Sequence, residues 1–68
     1  MLAQGAEFAI ERRDYNAAIE LSSQALKLEP ENRFALRLRA EAYWKMGQEA
    51  LSQADDDRVR ALEGYASD

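Results

Sequence analysis

Apolar residues recur along this chain at three- and four-residue intervals, and nowhere do they alternate. That period belongs to amphipathic α-helices rather than to strands. Leu2, Ala6, Ala9 and Ile10 share one face of a first helix predicted over Leu2–Glu11, with Phe8 to the side. Tyr15, Ala18, Ile19, Ala25, Leu26 and Leu28 form the stripe of a second, over Tyr15–Leu28, interrupted by Ser22. A third, Arg33–Met46, carries Leu36, Ala40, Tyr43 and Trp44 at i, i+4, i+7 and i+8. A fourth, Glu49–Glu63, groups Leu51, Ala54, Ala61 and Leu62 on a face, although Asp55-Asp56-Asp57 sits in its middle. Ser52 is an alternative start for it, with Asp55 three residues on as an imperfect capping box.

Short polar breaks separate these runs. Asp14 is placed to cap the second helix, its carboxylate accepting from N–H groups that the first turn leaves open. Pro30 stops that helix, because it lacks a donor and drives Glu29 out of helical dihedrals. Asn32 is the next cap, and Gly47 is suited to a left-handed residue closing the third helix. Gly5 weakens the first helix by about 1 kcal/mol relative to alanine, a cost that a close helix crossing would explain. Loops of two to four residues make consecutive helices antiparallel neighbours. The expected fold is all-α: two antiparallel hairpins, about 2–29 and 32–64, in one domain spanning 1–68.

Composition strengthens the helical reading and narrows the function. Alanine and leucine dominate, while β-branched residues are few, a bias that favours helix. A chain of 68 residues buries only about 60% of its unfolded surface, so small folds look to disulfides, a metal or oligomerisation. There is no Cys and no His. Thiol chemistry, disulfides and the commonest metal ligand and general base are therefore missing, and no cofactor and no enzymatic activity are expected. Nine Lys/Arg face thirteen Asp/Glu, for a net charge of −4, which disfavours nucleic acid and anionic membrane as partners. No run approaches the roughly 20 apolar residues of a membrane span. Met1-Leu2-Ala3-Gln4-Gly5 lacks the basic and apolar regions of a signal peptide, so a soluble, cytoplasmic protein is expected.

Self-comparison finds an internal repeat. The shift that carries Leu2 onto Leu36 also carries Ala6 onto Ala40 and Glu7 onto Glu41. A shift longer by two aligns Tyr15 with Leu51, Ala18 with Ala54, Ala25 with Ala61 and Leu26 with Leu62. The second hairpin is accordingly expected to hold two extra residues in its turn near Gly47.

Asp14-Tyr15, Ala18-Ile19, Ala25-Leu26, Leu28 and Glu29-Pro30-Glu31-Asn32, then Leu36, Ala40, Tyr43 and Gly47, resemble the signature of the tetratricopeptide repeat (TPR). The spacing agrees, since that family repeats a helical hairpin every 34 or so positions. The chain departs from the pattern at Ala9, Ser22, Arg39 and Asp55, and no Pro closes the second repeat. The resemblance implies a right-handed stack of hairpins that binds a protein or peptide, or a second copy as a homodimer. It also implies a groove lined by the first helix of each hairpin, with Ala3 and Glu7, then Arg37, Glu41 and Lys45, facing it. The family's basic-and-Asn clamp for carboxylates is not reproduced, since Ala3 and Glu7 stand in its place. A narrower likeness runs from Gly5-Ala6-Glu7-Phe8-Ala9 through Asp14-Tyr15, Ala18, Pro30 and Asn32 to Leu38-Arg39-Ala40-Glu41-Ala42. That run is similar to the TPR-like dimerisation segment of metallo-β-lactamase-fold alkyl sulfatases, whose His-rich metal motif is absent here. The alternative function is thus an accessory dimerisation segment without the catalytic domain.

Candidate binding residues are Glu7, Arg37, Glu41, Tyr43, Trp44 and Lys45. Arg37, Glu41 and Lys45 are spaced as an i, i+4 ion-pair ladder, beside Arg33, or as peptide contacts. Tyr43 and Trp44 lie about 100° apart on a helix, so a small core covers them unequally and Trp44 becomes a candidate anchor. Asp55-Asp56-Asp57 point in three directions, unlike a calcium loop. They read as a solvated acidic face, or as a docking patch for a basic partner. The remaining helix carboxylates, Glu7, Glu11, Glu41 and Glu49, read as solvent-facing, since nothing gathers two of them in a desolvated cleft. Leu2, Ile10, Leu51 and Leu62 form the apolar set expected at the ends of the stack, where it would self-associate.

Overall fold

The computed structural model describes the backbone of residues 2–67 and the side chains of residues 3–64. All of its regular structure is helical: α1 (Leu2–Glu11), α2 (Tyr15–Leu28), α3 (Arg33–Lys45) and α4 (Glu49–Ser67). The predicted caps are in place. Asp14 accepts from the Ala17 amide at 3.3 Å, and Asn32 from the Ala35 amide at 3.1 Å. The Asn32 side chain also donates to Glu29 at 3.2 Å, tying the turn behind Pro30. α4 starts at Glu49 rather than Ser52, and it continues through Gly64 instead of ending at Glu63.

α1 packs on α2, α2 on α3 and α3 on α4, while α3 also touches α1. Residues 40, 39 and 37 of α3 meet residues 52, 55 and 63 of α4, so position falls along one helix as it rises along the other. Gly5 lies under α2, where an added Cβ would come within 3.3 Å of Leu21. The close crossing that this glycine suggested is present.

The turns correct the expected repeat register. At the end of α1, the amide of Arg13 donates to Ile10 at 2.9 Å and that of Asp14 to Ala9 at 2.8 Å. At the end of α3, Gly47 donates to Trp44 at 3.0 Å and Gln48 to Tyr43 at 2.9 Å. These are one Schellman closure twice over. Arg13 (φ 63°) and Gly47 (φ 80°) hold the left-handed position in each, and the shift that carries Arg13 onto Gly47 is the one that carries Leu2 onto Leu36. Both turns hold three residues, so the two extra residues expected near Gly47 are not there. Burial agrees: under this same shift Ser52 and Val59 are buried like their counterparts Ala18 and Ala25, whereas Ala54 and Ala61 are exposed.

With the register goes the predicted face of α4. Leu51, Ala54 and Ala61 point outward and Leu62 is half-buried; the buried line is Ser52, Asp55 and Val59. The core itself is thin. Among the described residues the buried apolar ones are Ala3, Ala6, Ala9, Ala18, Ala25, Ala35, Ala40 and Ala42, with Leu36, Leu38 and Val59, and Ser22 is buried beside them.

Candidate functional site

α3 presents Arg37, Ala40, Glu41 and Trp44 on successive turns, and α4 faces them with Ser52 and Asp56. Together these six line an open cleft of about 260 Å³ between the two helices. Its floor is made by the Ser52 hydroxyl, which donates to the Ala40 carbonyl at 2.8 Å and holds the helices close. Trp44 stands at one end, 58% exposed.

The walls carry unequal charge. Arg37 is hydrogen-bonded to Glu63 of α4, and Arg33 approaches the same carboxylate at 3.8 Å. The expected Arg37–Glu41–Lys45 ladder therefore does not form: Arg37 turns to the opposite helix, where a carboxylate from a separate element is within reach. Glu41 and Asp56 have no salt bridge among the described residues. The cleft thus keeps two uncompensated carboxylates beside an exposed indole.

Of the residues expected to bind a partner, Arg37, Glu41 and Trp44 are gathered here. Glu7 lies on α1 and Lys45 on the exposed end of α3, both outside the cleft lining. Tyr43 turns the other way. It is half-buried, with the Arg39 guanidinium 5.9 Å from its ring centroid.

Arg39 organises a second polar cluster. Its Nε and Nη2 donate to the two carboxylate oxygens of Asp55, both at 2.8 Å, and Nη1 donates to the Ser23 hydroxyl at 3.2 Å. The hydrogen bond to Asp55, opposed by partial burial, raises the Arg39 pKa above its ordinary value, so the guanidinium is charged at every working pH. The Asp55 side chain is 8% exposed. This corrects the solvated-face reading for Asp55 alone, which is buried in an ion pair; Asp56 and Asp57 are exposed, the first lining the cleft and the second pairing with Arg60 at 3.3 Å. Three directions give three environments.

Sequence reasoning missed Ser52 as a cleft residue, because the longer shift put Ala54 in its place, whereas Asp56 was in view only as part of the Asp run and its alternative reading as a docking patch. Among the described residues no group of His, Cys, Asp or Glu is arranged to hold a metal ion, and no helix is long and apolar enough to cross a membrane. The large apolar set expected at the stack ends is also changed. Ile10 packs half-buried against Ala9, Ala18 and Ala42, Leu62 is half-buried, and the Leu2 side chain lies outside the described residues. Of that set Leu51 is exposed (48%), and on α1 Phe8, outside the set, is exposed as well (64%). Comparison with known proteins places no family beside this geometry: no family model, curated protein or solved structure matches the chain.

Proposed function

We propose that the chain is a non-catalytic protein-interaction module of TPR type, able to associate with a protein, a peptide or a second copy of itself. One observation carries this reading: large apolar side chains stand outside a core built mainly of alanine. Phe8, Leu28, Phe34, Trp44, Met46 and Leu51 are all exposed, whereas the buried positions hold small residues for the most part. Burial of apolar surface stabilises by about 25 cal/mol per Å², so this arrangement leaves much of the available stabilisation to be gained on association. The recurrence of one turn at Arg13 and Gly47 supports the repeat reading. The lack of His and Cys and the open, shallow cleft support a role without catalysis. Self-association is expected through the outward line Leu51, Ala54 and Ala61 of α4, most simply as a two-fold dimer. Sedimentation equilibrium up to high micromolar concentration tests this, and a stable monomer throughout would remove self-association from the proposal.

A second reading, an accessory dimerisation segment of an alkyl sulfatase-like hydrolase, is favoured by the run from Gly5 to Ala42 quoted above. It predicts a reading frame that also encodes a His/Asp metal motif, and sequencing the flanking DNA decides it.

A further inference from the structure

We infer that the α3/α4 cleft receives an α-helix carrying arginine or lysine side chains, contributed by a partner protein; this rests on the interaction-module reading. The internal repeat supplies the shape of the occupant. Under the shift that carries Arg13 onto Gly47, the cleft residues Arg37, Ala40, Glu41, Trp44, Ser52 and Asp56 correspond to Ala3, Ala6, Glu7, Ile10, Ala18 and Ser22. In the first hairpin that surface is closed. Ala3, Ala6, Ala18 and Ser22 are buried, and α3 lies against both α1 and α2, with its Ala42 packed in one cluster with Ala9 and Ala18. The same groove in the second hairpin has no helix over it among the described residues. The chain itself therefore shows what fits there.

Charge supplies the chemistry of the occupant. Where α3 crosses α2, its Arg39 donates to the Ser23 hydroxyl, beside Ser22. On α4 the positions equivalent to Ser22 and Ser23 are Asp56 and Asp57. A helix lying across α4 as α3 lies across α2 would bring its side chain at that point onto carboxylates instead of hydroxyls; Asp57 is paired with Arg60, so Asp56 is the carboxylate left to meet it. Glu41 adds a further negative charge, and Trp44, where the first hairpin has Ile10, offers a ring face to a cation. Arg37 does not oppose this, because Glu63 already engages it. Lys45 is the nearest uncompensated cation on α3 and lies outside the cleft. An acidic or neutral helix would leave Glu41 and Asp56 desolvated without partners, which is costly.

Trp44 is the only tryptophan, so its emission reads the cleft directly. The full chain is titrated with an alanine-based helical peptide of about 18 residues carrying arginines at i, i+4 spacing, and with its glutamate counterpart. The arginine peptide is expected to give a saturable Trp44 shift and the glutamate peptide none. Glu41→Gln with Asp56→Asn is expected to weaken binding about tenfold, while Glu11→Gln with Glu20→Gln, an equal change in net charge on exposed sites of α1 and α2, leaves it within about twofold. Circular dichroism checks that each variant keeps its helices. Equal weakening by both pairs, equal binding of both peptides, or no Trp44 response overturns the inference. If sedimentation still shows a dimer in that case, the interaction-module reading stands without it.

Discussion

Arg39 and Asp55 occupy the places that Gly5 and Leu21 hold in the first hairpin. There the crossing is filled by an apolar side chain over a glycine; in the second hairpin it is filled by a bidentate ion pair. Each residue alone looks like a departure from a helical repeat, yet each compensates the other. The costs of breaking the pair are unequal. With its side chain 25% exposed, Arg39 left alone can extend its guanidinium to water, whereas Asp55 cannot escape. Arg39→Leu is expected to cost about 3 kcal/mol and Asp55→Leu about 2 kcal/mol, while the double variant returns to within about 1 kcal/mol of the parent. Urea unfolding of the four proteins measures this, and additive single costs would show that the pair is not coupled. Glycines give a second contrast at this scale. Gly47→Ala places a Cβ at φ 80° and is expected to cost about 1 kcal/mol. Gly64→Ala sits in regular helix with open space around its Cβ and is expected to stabilise by about 0.5 kcal/mol. The two melting temperatures should move in opposite directions.

At the level of the helices, what the sequence displays depends on whether the signal is local. The bounds of α1 and α2 are readable because Asp14, Pro30 and Asn32 act on backbone groups within a few residues of themselves. Asn32→Ala is expected to lower stability by about 1 kcal/mol, more than Asp14→Ala, since Asn32 both caps α3 and ties Glu29. Chemical denaturation of the two variants checks the order. The face of α4 is not readable in this way. Its buried line, Ser52, Asp55 and Val59, is more polar than its exposed line, Leu51, Ala54 and Ala61, so a rule that sends apolar residues inward chooses the wrong side. Ser52 is buried because it donates to a carbonyl of α3, and Asp55 because an arginine of the neighbouring helix neutralises it. Neither partner is visible from α4 alone. Alanine's abundance hid the register as well: a chain rich in it aligns with itself under the longer shift as readily as under the true one. Half of the candidate site was accessible for the opposite reason. Arg37, Glu41 and Trp44 follow one another on α3 at helical spacing, whereas Ser52 and Asp56 enter the cleft only once the register of α4 is known.

At the scale of the whole molecule, the two turns at Arg13 and Gly47 close in the same way, but the helix pairs they join stand in unequal circumstances. α3 lies over the first, and among the described residues no helix lies over the groove of the second. Small residues in the core let helices approach closely but contribute little apolar burial each, so the isolated chain is expected to be marginally stable. Association then adds directly to folding stability. The melting temperature is expected to rise with protein concentration, and a value independent of concentration over a hundredfold range would argue against self-association. The groove makes a separate and more local demand. Chemical-shift mapping of the labelled chain with the arginine-bearing helical peptide tests it most directly. Shifts are expected to concentrate on Arg37, Ala40, Glu41, Trp44, Ser52 and Asp56, with the counterparts Ala3, Ala6, Glu7, Ile10, Ala18 and Ser22 unmoved. Shifts centred on α1 and α2, or spread evenly over the acidic surface, would contradict the assignment of the α3/α4 groove as the binding surface.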